Sequence, residues 1–265
     1  MDFRRLVRGS IDWSELEGVA VELARRLDRE AIHVTFLETD NWSSIPFVVD
    51  EDYFVKVITP QNALVHALFT GARNLGAISS GSQGFFDRFD NPYEMAEHEV
   101  RAIKEMRDIG VNAPRPIEAF AHGHYGVVVM EFLPDFETLD DIDLREHPEL
   151  QEELLASLAT MHAHGVAHGD LRAENVLLHE GELYFIDATL VSEELFADAK
   201  GYDLASAIAI LSPRVGSKRA VSLAKEYFEP EALLAARRFL DFVKLRPDHD
   251  FDVVQLRGEI DTQAA

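Results

Sequence analysis

The sequence predicts an α+β chain in two parts, a small antiparallel sheet followed by a helical second half. Between positions 32 and 58, three short runs of β-branched and aromatic residues are separated by polar turns. Beyond position 148, apolar residues recur at helical spacing. A chain of 265 residues is long enough for one large domain or two small ones. The pattern divides it into an N-terminal helix over 1–31, a sheet-bearing lobe over 32–133 and a helical lobe over 134–265.

Taken in order, Leu16, Val19, Leu23 and Leu27 mark an amphipathic opening helix, with Asp12 and Glu15 placed as a capping pair. Its Arg25, Arg26 and Arg29 read as a solvated face rather than a partner surface. Strands are predicted over 32–37, 45–49 and 53–58, forming an antiparallel meander. The stretch 59–91 holds a weak helical pattern over 61–69 and then the Gly/Ser-rich segment 78–84 with Ser79, Ser80 and Ser82, so it reads as an insertion. A helix follows Pro92, carries Met95, Glu99, Ala102, Ile103 and Met106, and stops at Gly110. Further strands are predicted over 117–121 and 127–131, and 134–148 reads as a link. Leu150, Leu154, Leu158 and Met161 then define a helix over 148–163, with proline in its first turn. A hairpin over 176–186 turns at Glu180 and Gly181, and helices starting near Tyr202, Ser217 and Pro230 complete the chain.

The chain holds 48 acidic against 25 basic residues, a formal charge of -23, which makes direct nucleic-acid binding a poor expectation. The acids are spread along the whole chain, as expected of a protein that works in concentrated salt. Arg214, Lys218 and Arg219 are the cations that could touch RNA, and they read more simply as helix-end charges. With no cysteine there are no disulfides, thiolate metal sites or cysteine nucleophiles. Residues 1–13 lack the apolar core of a signal peptide and no apolar run is long enough to span a bilayer. These features predict a soluble, cytoplasmic protein without a membrane partner.

The stretch that carries chemistry is His168-Gly-Asp170-Leu-Arg-Ala-Glu-Asn175, followed after the hairpin by Ile186-Asp187-Ala188. Phosphoryl transfer needs an acid to orient the attacking hydroxyl or water, and oxygen ligands that hold magnesium against phosphates. Asp170 supplies the acid, and Asn175 and Asp187, flanking a short hairpin, supply two ligands that can converge on one ion. This spacing resembles the kinase superfamily, whose catalytic loop reads His-x-Asp-x-x-x-x-Asn and whose metal-binding aspartate ends a strand shortly afterwards. The His-Gly-Asp form is similar to that of RIO kinases and their small archaeal relatives, and it also occurs in aminoglycoside- and choline-type phosphotransferases. The acidic composition would make this chain a halophilic archaeal member.

The resemblance implies a bilobal kinase-like fold that binds ATP and Mg2+ between its lobes. It places Lys56, in Phe54-Val-Lys-Val57, at the α/β-phosphates, and Glu99 as the helix carboxylate that pairs with it, with Glu94 and Glu97 as alternatives. Gly110 to Pro116 matches the Gly-Val/Ile-x-x-Pro-x-Pro pattern of RIO proteins. Met130 would lie behind the adenine, with Glu131 and Phe132 offering it a carbonyl and an amide. Asp203 would accept hydrogen bonds from the catalytic loop, or else serve as an ordinary acid at a helix start. The short segment from Asp187 to Asp203 leaves no room for a long activation loop. The departure from the pattern is the loop 39–44, which holds no glycine. There Ser43 and Ser44 would donate to a phosphate, and Asp40 would oppose them.

Three activities follow from the resemblance. One is an atypical serine/threonine kinase or ATPase acting on a protein or on a ribosome-assembly particle. The second is a small-molecule phosphotransferase, and the third a nucleotide-binding pseudokinase scaffold.

Overall fold

The structure is a computed structural model and describes residues 11–37, 44–60, 91–189, 195–245 and 250–264. Ser43, the rest of the glycine-free loop before Ser44, and the insertion with Ser79, Ser80 and Ser82 lie outside these residues. The chain divides into two compact units.

The first unit contains the described residues up to 60 together with 91–104 and 114–134. Helix α1 (Trp13–Arg26) precedes strands β1 (Val34–Phe36), β2 (Ile45–Val49) and β3 (Tyr53–Ile58). Most of helix α2 (Pro92–Asp108) follows, then β4 (Pro116–His122) and β5 (Tyr125–Glu131). The five strands form an antiparallel sheet in the order β1-β2-β3-β5-β4. Leu16, Val19 and Leu23 of α1 share a core cluster with Phe47, Val49, Val55, Val57, Val127 and Val129 of the sheet. The opening helix thus belongs to this unit. Its Asp12 makes no side-chain cap, so the predicted capping pair with Glu15 does not form.

Side chains alternate along a strand. With Val55 and Val57 in the cluster under α1, Lys56 between them points to the opposite face of the sheet. The arginines at the end of α1 and just after it are committed locally. Arg26 bonds Glu118 at 2.6 Å and lies 4.3 Å from the Phe120 ring centre. Arg29 reaches Asp50 at 2.5 Å and Asp52 at 2.7 Å.

The second unit contains 105–113 and the described residues from 135 onward. Strands β6 (Glu137–Thr138), β7 (Val176–His179) and β8 (Glu182–Phe185) form a small antiparallel sheet. Around them lie helices α3 (Pro148–Ala163), α4 (Phe196–Val215), α5 (Ser217–Ala224), α6 (Pro230–Arg237), α7 (Leu240–Lys244) and α8 (Val253–Gln263). Every residue of α4 from Gly201 to Ser212 is buried, as expected of a helix that is apolar all round. A Cβ at Gly201 would lie 2.9 Å from the Phe239 ring, so glycine there lets α4 and the chain before α7 approach closely. No helix among the described residues is long and apolar enough to cross a membrane.

Candidate active site

Each unit carries one part of the predicted chemistry. In the first, Lys56 sits on β3, the middle strand of five, opposite Pro46 on β2 and Val128 on β5. Its exposure is only 6%, and Glu99 on α2 is 9% exposed. The Lys56 ammonium meets both Glu99 oxygens, at 3.1 and 3.0 Å. A buried cation needs such a partner, because desolvation of an unpaired charge costs several kcal/mol, on the order of the whole stability of a domain. The two alternative acids turn elsewhere: Glu94 bonds Asn91 and Glu97 accepts the Tyr93 hydroxyl at 2.7 Å.

At the end of β5, Met130 is buried and pairs across to Phe54. The Glu131 amide donates to the Arg115 carbonyl at 2.9 Å, and its carboxylate accepts the Arg115 amide at 2.5 Å. The expectation for Phe132 needs correction, since its amide donates to the Asp52 carbonyl at 2.9 Å and is therefore not available to a ligand. The next amide, that of Leu133, makes no hydrogen bond among the described residues. Ser44 is corrected as well: its hydroxyl is buried without a partner and is not presented to solvent.

In the second unit the loop 168–175 is fixed from several sides. Asp203 is fully buried and accepts the amides of His168 at 2.7 Å and Gly169 at 2.8 Å. It lies in the second turn of α4 and not at a helix start, which excludes the plainer reading of an N-terminal acid. His162, at the end of α3, approaches the same carboxylate at 3.4 Å. Gly169 has φ +76°, and a Cβ there would come within 2.7 Å of the Thr189 carbonyl. Only glycine tolerates both the left-handed backbone and that approach. The Thr189 amide returns a bond to the His168 carbonyl at 2.6 Å.

His168 is wholly buried and stacks edge-on against Phe185, with ring centres 6.1 Å apart. Burial holds its pKa below the ordinary histidine value, outweighing the nearby Asp203, Asp170 and Asp187 carboxylates. The ring is therefore a neutral structural wedge whose Nδ1 accepts the Asp170 amide at 3.3 Å.

Asn175 ends a 3-10 turn (Ala173–Asn175) and is 3% exposed. Its side-chain nitrogen donates to the Asp170 carbonyl at 2.9 Å, which leaves the amide oxygen as the atom able to ligate. Asp187, just past β8, has φ +58°, an uncommon conformation that aspartate accepts more readily than most residues. The Ile186 amide donates to the Asn175 carbonyl at 3.0 Å, so the two ligand candidates lie on bonded segments. One amide oxygen and one carboxylate make a hard, incomplete donor set. Such a set fits Mg2+, which keeps waters and takes phosphate oxygens as further ligands. Among the described residues there is no cluster of three or more His, Asp, Glu or Cys that could hold a metal by itself.

Arg172 was not singled out in the sequence. It lies 3.5 Å from Asp170 and also pairs with Glu174, and its Nε is buried without a hydrogen bond. The available signal was a cation two residues after the acid in a loop built for phosphate chemistry.

Comparisons with known proteins place the chain beside kinase-like relatives. The family model of the RIO domain matches residues 88–194. The chain is 30% identical over 114 residues to the KEOPS complex subunit Bud32 of Pyrococcus abyssi, covering 42% of this chain and 51% of that one. It is 32% identical over 111 residues to the serine/threonine-protein kinase rio1 of Schizosaccharomyces pombe, covering 37% of this chain and 22% of that one. The match thus spans about half or less of these relatives. Among solved structures, an aminoglycoside-3'-phosphotransferase of type VIII superposes with a TM-score of 0.51 at 16% identity, covering 85% of this chain and 98% of the other. That likeness is one of fold, and the fold is kinase-like, α+β with an antiparallel sheet and a helical region.

Proposed function

We propose that this chain is an ATP- and Mg2+-dependent phosphotransferase of the atypical, RIO-like kinase or ATPase kind. The observation that carries the reading is the loop 168–175: Asp203 accepts two of its amides, and Asn175 is tied to the Asp170 carbonyl. A loop held this firmly presents Asp170 to orient and deprotonate an attacking hydroxyl or water. Asn175 and Asp187 would hold the magnesium ion, which on binding neutralises phosphate charge. Lys56, aimed by Glu99, would take α/β-phosphate oxygens, and Arg172 would offset charge on the transferred group. Met130 and the Glu131 carbonyl remain the adenine contacts, with the Leu133 amide in place of that of Phe132. The acceptor is a serine or threonine hydroxyl, of this chain or of another protein, or water. The acidic composition suits work in a salt-rich cytoplasm.

Calorimetric titration with ATP, with and without magnesium, tests the binding half. Radiolabelled ATP followed by peptide mapping and phosphate release tests the transfer half. Equal ATP affinity in both titrations would overturn the metal assignment. Rapid labelling of an aminoglycoside, choline or sugar panel, with none of protein or water, would replace the kinase reading by a small-molecule one.

A further inference from the structure

Phosphoryl transfer leaves one feature of the second unit unused. Arg145, Pro148, Gln151, Arg214, Val215 and Arg219 line a hollow of about 310 Å³, where the chain entering α3 meets the α4–α5 junction. Three of its walls are arginines and none is acidic, on a chain with 48 acidic residues against 25 basic ones.

The three guanidiniums differ in how they are held. Arg214 is anchored, donating to the Ile210 carbonyl at 2.8 Å and to Asp140 at 2.5 Å. Arg145 makes a two-pronged pair with Asp143, at 2.8 and 2.6 Å, with its side chain 70% exposed. Pairs this exposed contribute little, so a stronger anion can compete for the arginine. Arg219 is exposed and has no hydrogen bond or ion pair among the described residues. Asp143 and Asp140 thus pair two of the three arginines, which leaves the Arg219 guanidinium as the one facing the hollow without a carboxylate of its own among the described residues, while Glu146 adds a further negative charge near Arg145.

We infer that this hollow binds a small phosphate-bearing anion. Arginine forks match phosphate oxygens two at a time, and the hollow is near the lower size limit of small-molecule sites, roughly 300 Å³. A nucleic-acid backbone fits less well. The adjoining stretch exposes Asp140, Asp141, Asp143, Glu146 and Glu149, which repel an extended run of phosphates while leaving room for one compact group.

The test titrates inorganic phosphate into the full chain without magnesium or nucleotide, against chloride at matched ionic strength. Saturable binding is expected, weakened at least fivefold in Arg219→Ala and in Arg145→Ala, and unchanged within twofold in the double variant Lys56→Met/Glu99→Met, which removes the buried lysine without leaving its carboxylate unpaired. Both arginines are exposed, so these variants should fold normally, with ATP affinity within twofold of the parent. A non-saturable response, or equal affinity in the parent and Arg219→Ala, would overturn the proposal. So would loss of phosphate binding in Lys56→Met/Glu99→Met, which would assign the anion to the nucleotide site. A short uridine oligomer that binds more tightly than phosphate and is lost in Arg219→Ala would overturn the choice of a compact anion.

Discussion

Asp203 Oδ1 accepts the amide of Gly169 at 2.8 Å, although the two residues are 34 positions apart. The same carboxylate takes the His168 amide, so Asp203→Ala leaves two buried donors unpaired. Each costs about 1–3 kcal/mol. A loss of about 3 kcal/mol in urea unfolding is expected, together with loss of ATP turnover. A loss below about 1 kcal/mol would mean that the carboxylate is not the brace of this loop.

Lys56 and Glu99 form a buried ion pair, and such pairs punish the loss of one partner more than the loss of both. Lys56→Met should destabilise the chain by about 3 kcal/mol. Adding Glu99→Met should restore much of that stability without restoring ATP affinity. A double-mutant cycle with additive effects would argue against coupling of the two charges.

Asp170→Asn keeps the shape of the loop and removes the base. Turnover should fall by roughly 10²–10⁴-fold, the usual contribution of a positioned base, with ATP affinity within about twofold. Asp187→Ala should instead abolish the magnesium dependence of ATP binding. If Asp170→Asn retains most of its turnover, the nucleophile is oriented by another group.

His168 titrates below its ordinary value because it is buried. The unfolded chain then binds the proton more readily than the folded one. Stability is therefore full above the unfolded value, near pH 6.5, and falls below it by up to about 1.4 kcal/mol per unit. Urea unfolding of the parent should weaken from about pH 6.5 to 5.5, with a shallower slope in His168→Asn. Parallel slopes would show that other groups dominate.

The parts legible in the sequence were those set by local rules. Strands 45–49 and 53–58 and helix 148–163 end where alternation, turn residues and Pro148 put them. The two-residue strand β6 is too short to leave a pattern. Helix α4 starts at Phe196, ahead of the expected start near Tyr202, because its apolar positions run all round and give no face to read. The spacing brought Asp170, Asn175 and Asp187 into one argument. It could not show that β3 pairs with β5 across a long intervening stretch, which puts Lys56 in the middle of the sheet. Nor could it show that the Phe132 amide is taken by Asp52, since that bond joins residues 80 positions apart.

Gly126 opens the buried part of β5, and a Cβ there would lie 2.0 Å from the Pro92 carbonyl. The first turn of the helix carrying Glu99 thus rests directly on the strand backbone. No side chain can be accommodated without pushing that helix away and drawing Glu99 off Lys56. Position 126 is consequently a marker for descent: homologues that keep the lysine–glutamate pair in this geometry should keep glycine here. A lineage that has replaced it should show either a displaced helix or a lost pair, so this one site can sort active relatives from decayed ones in an alignment.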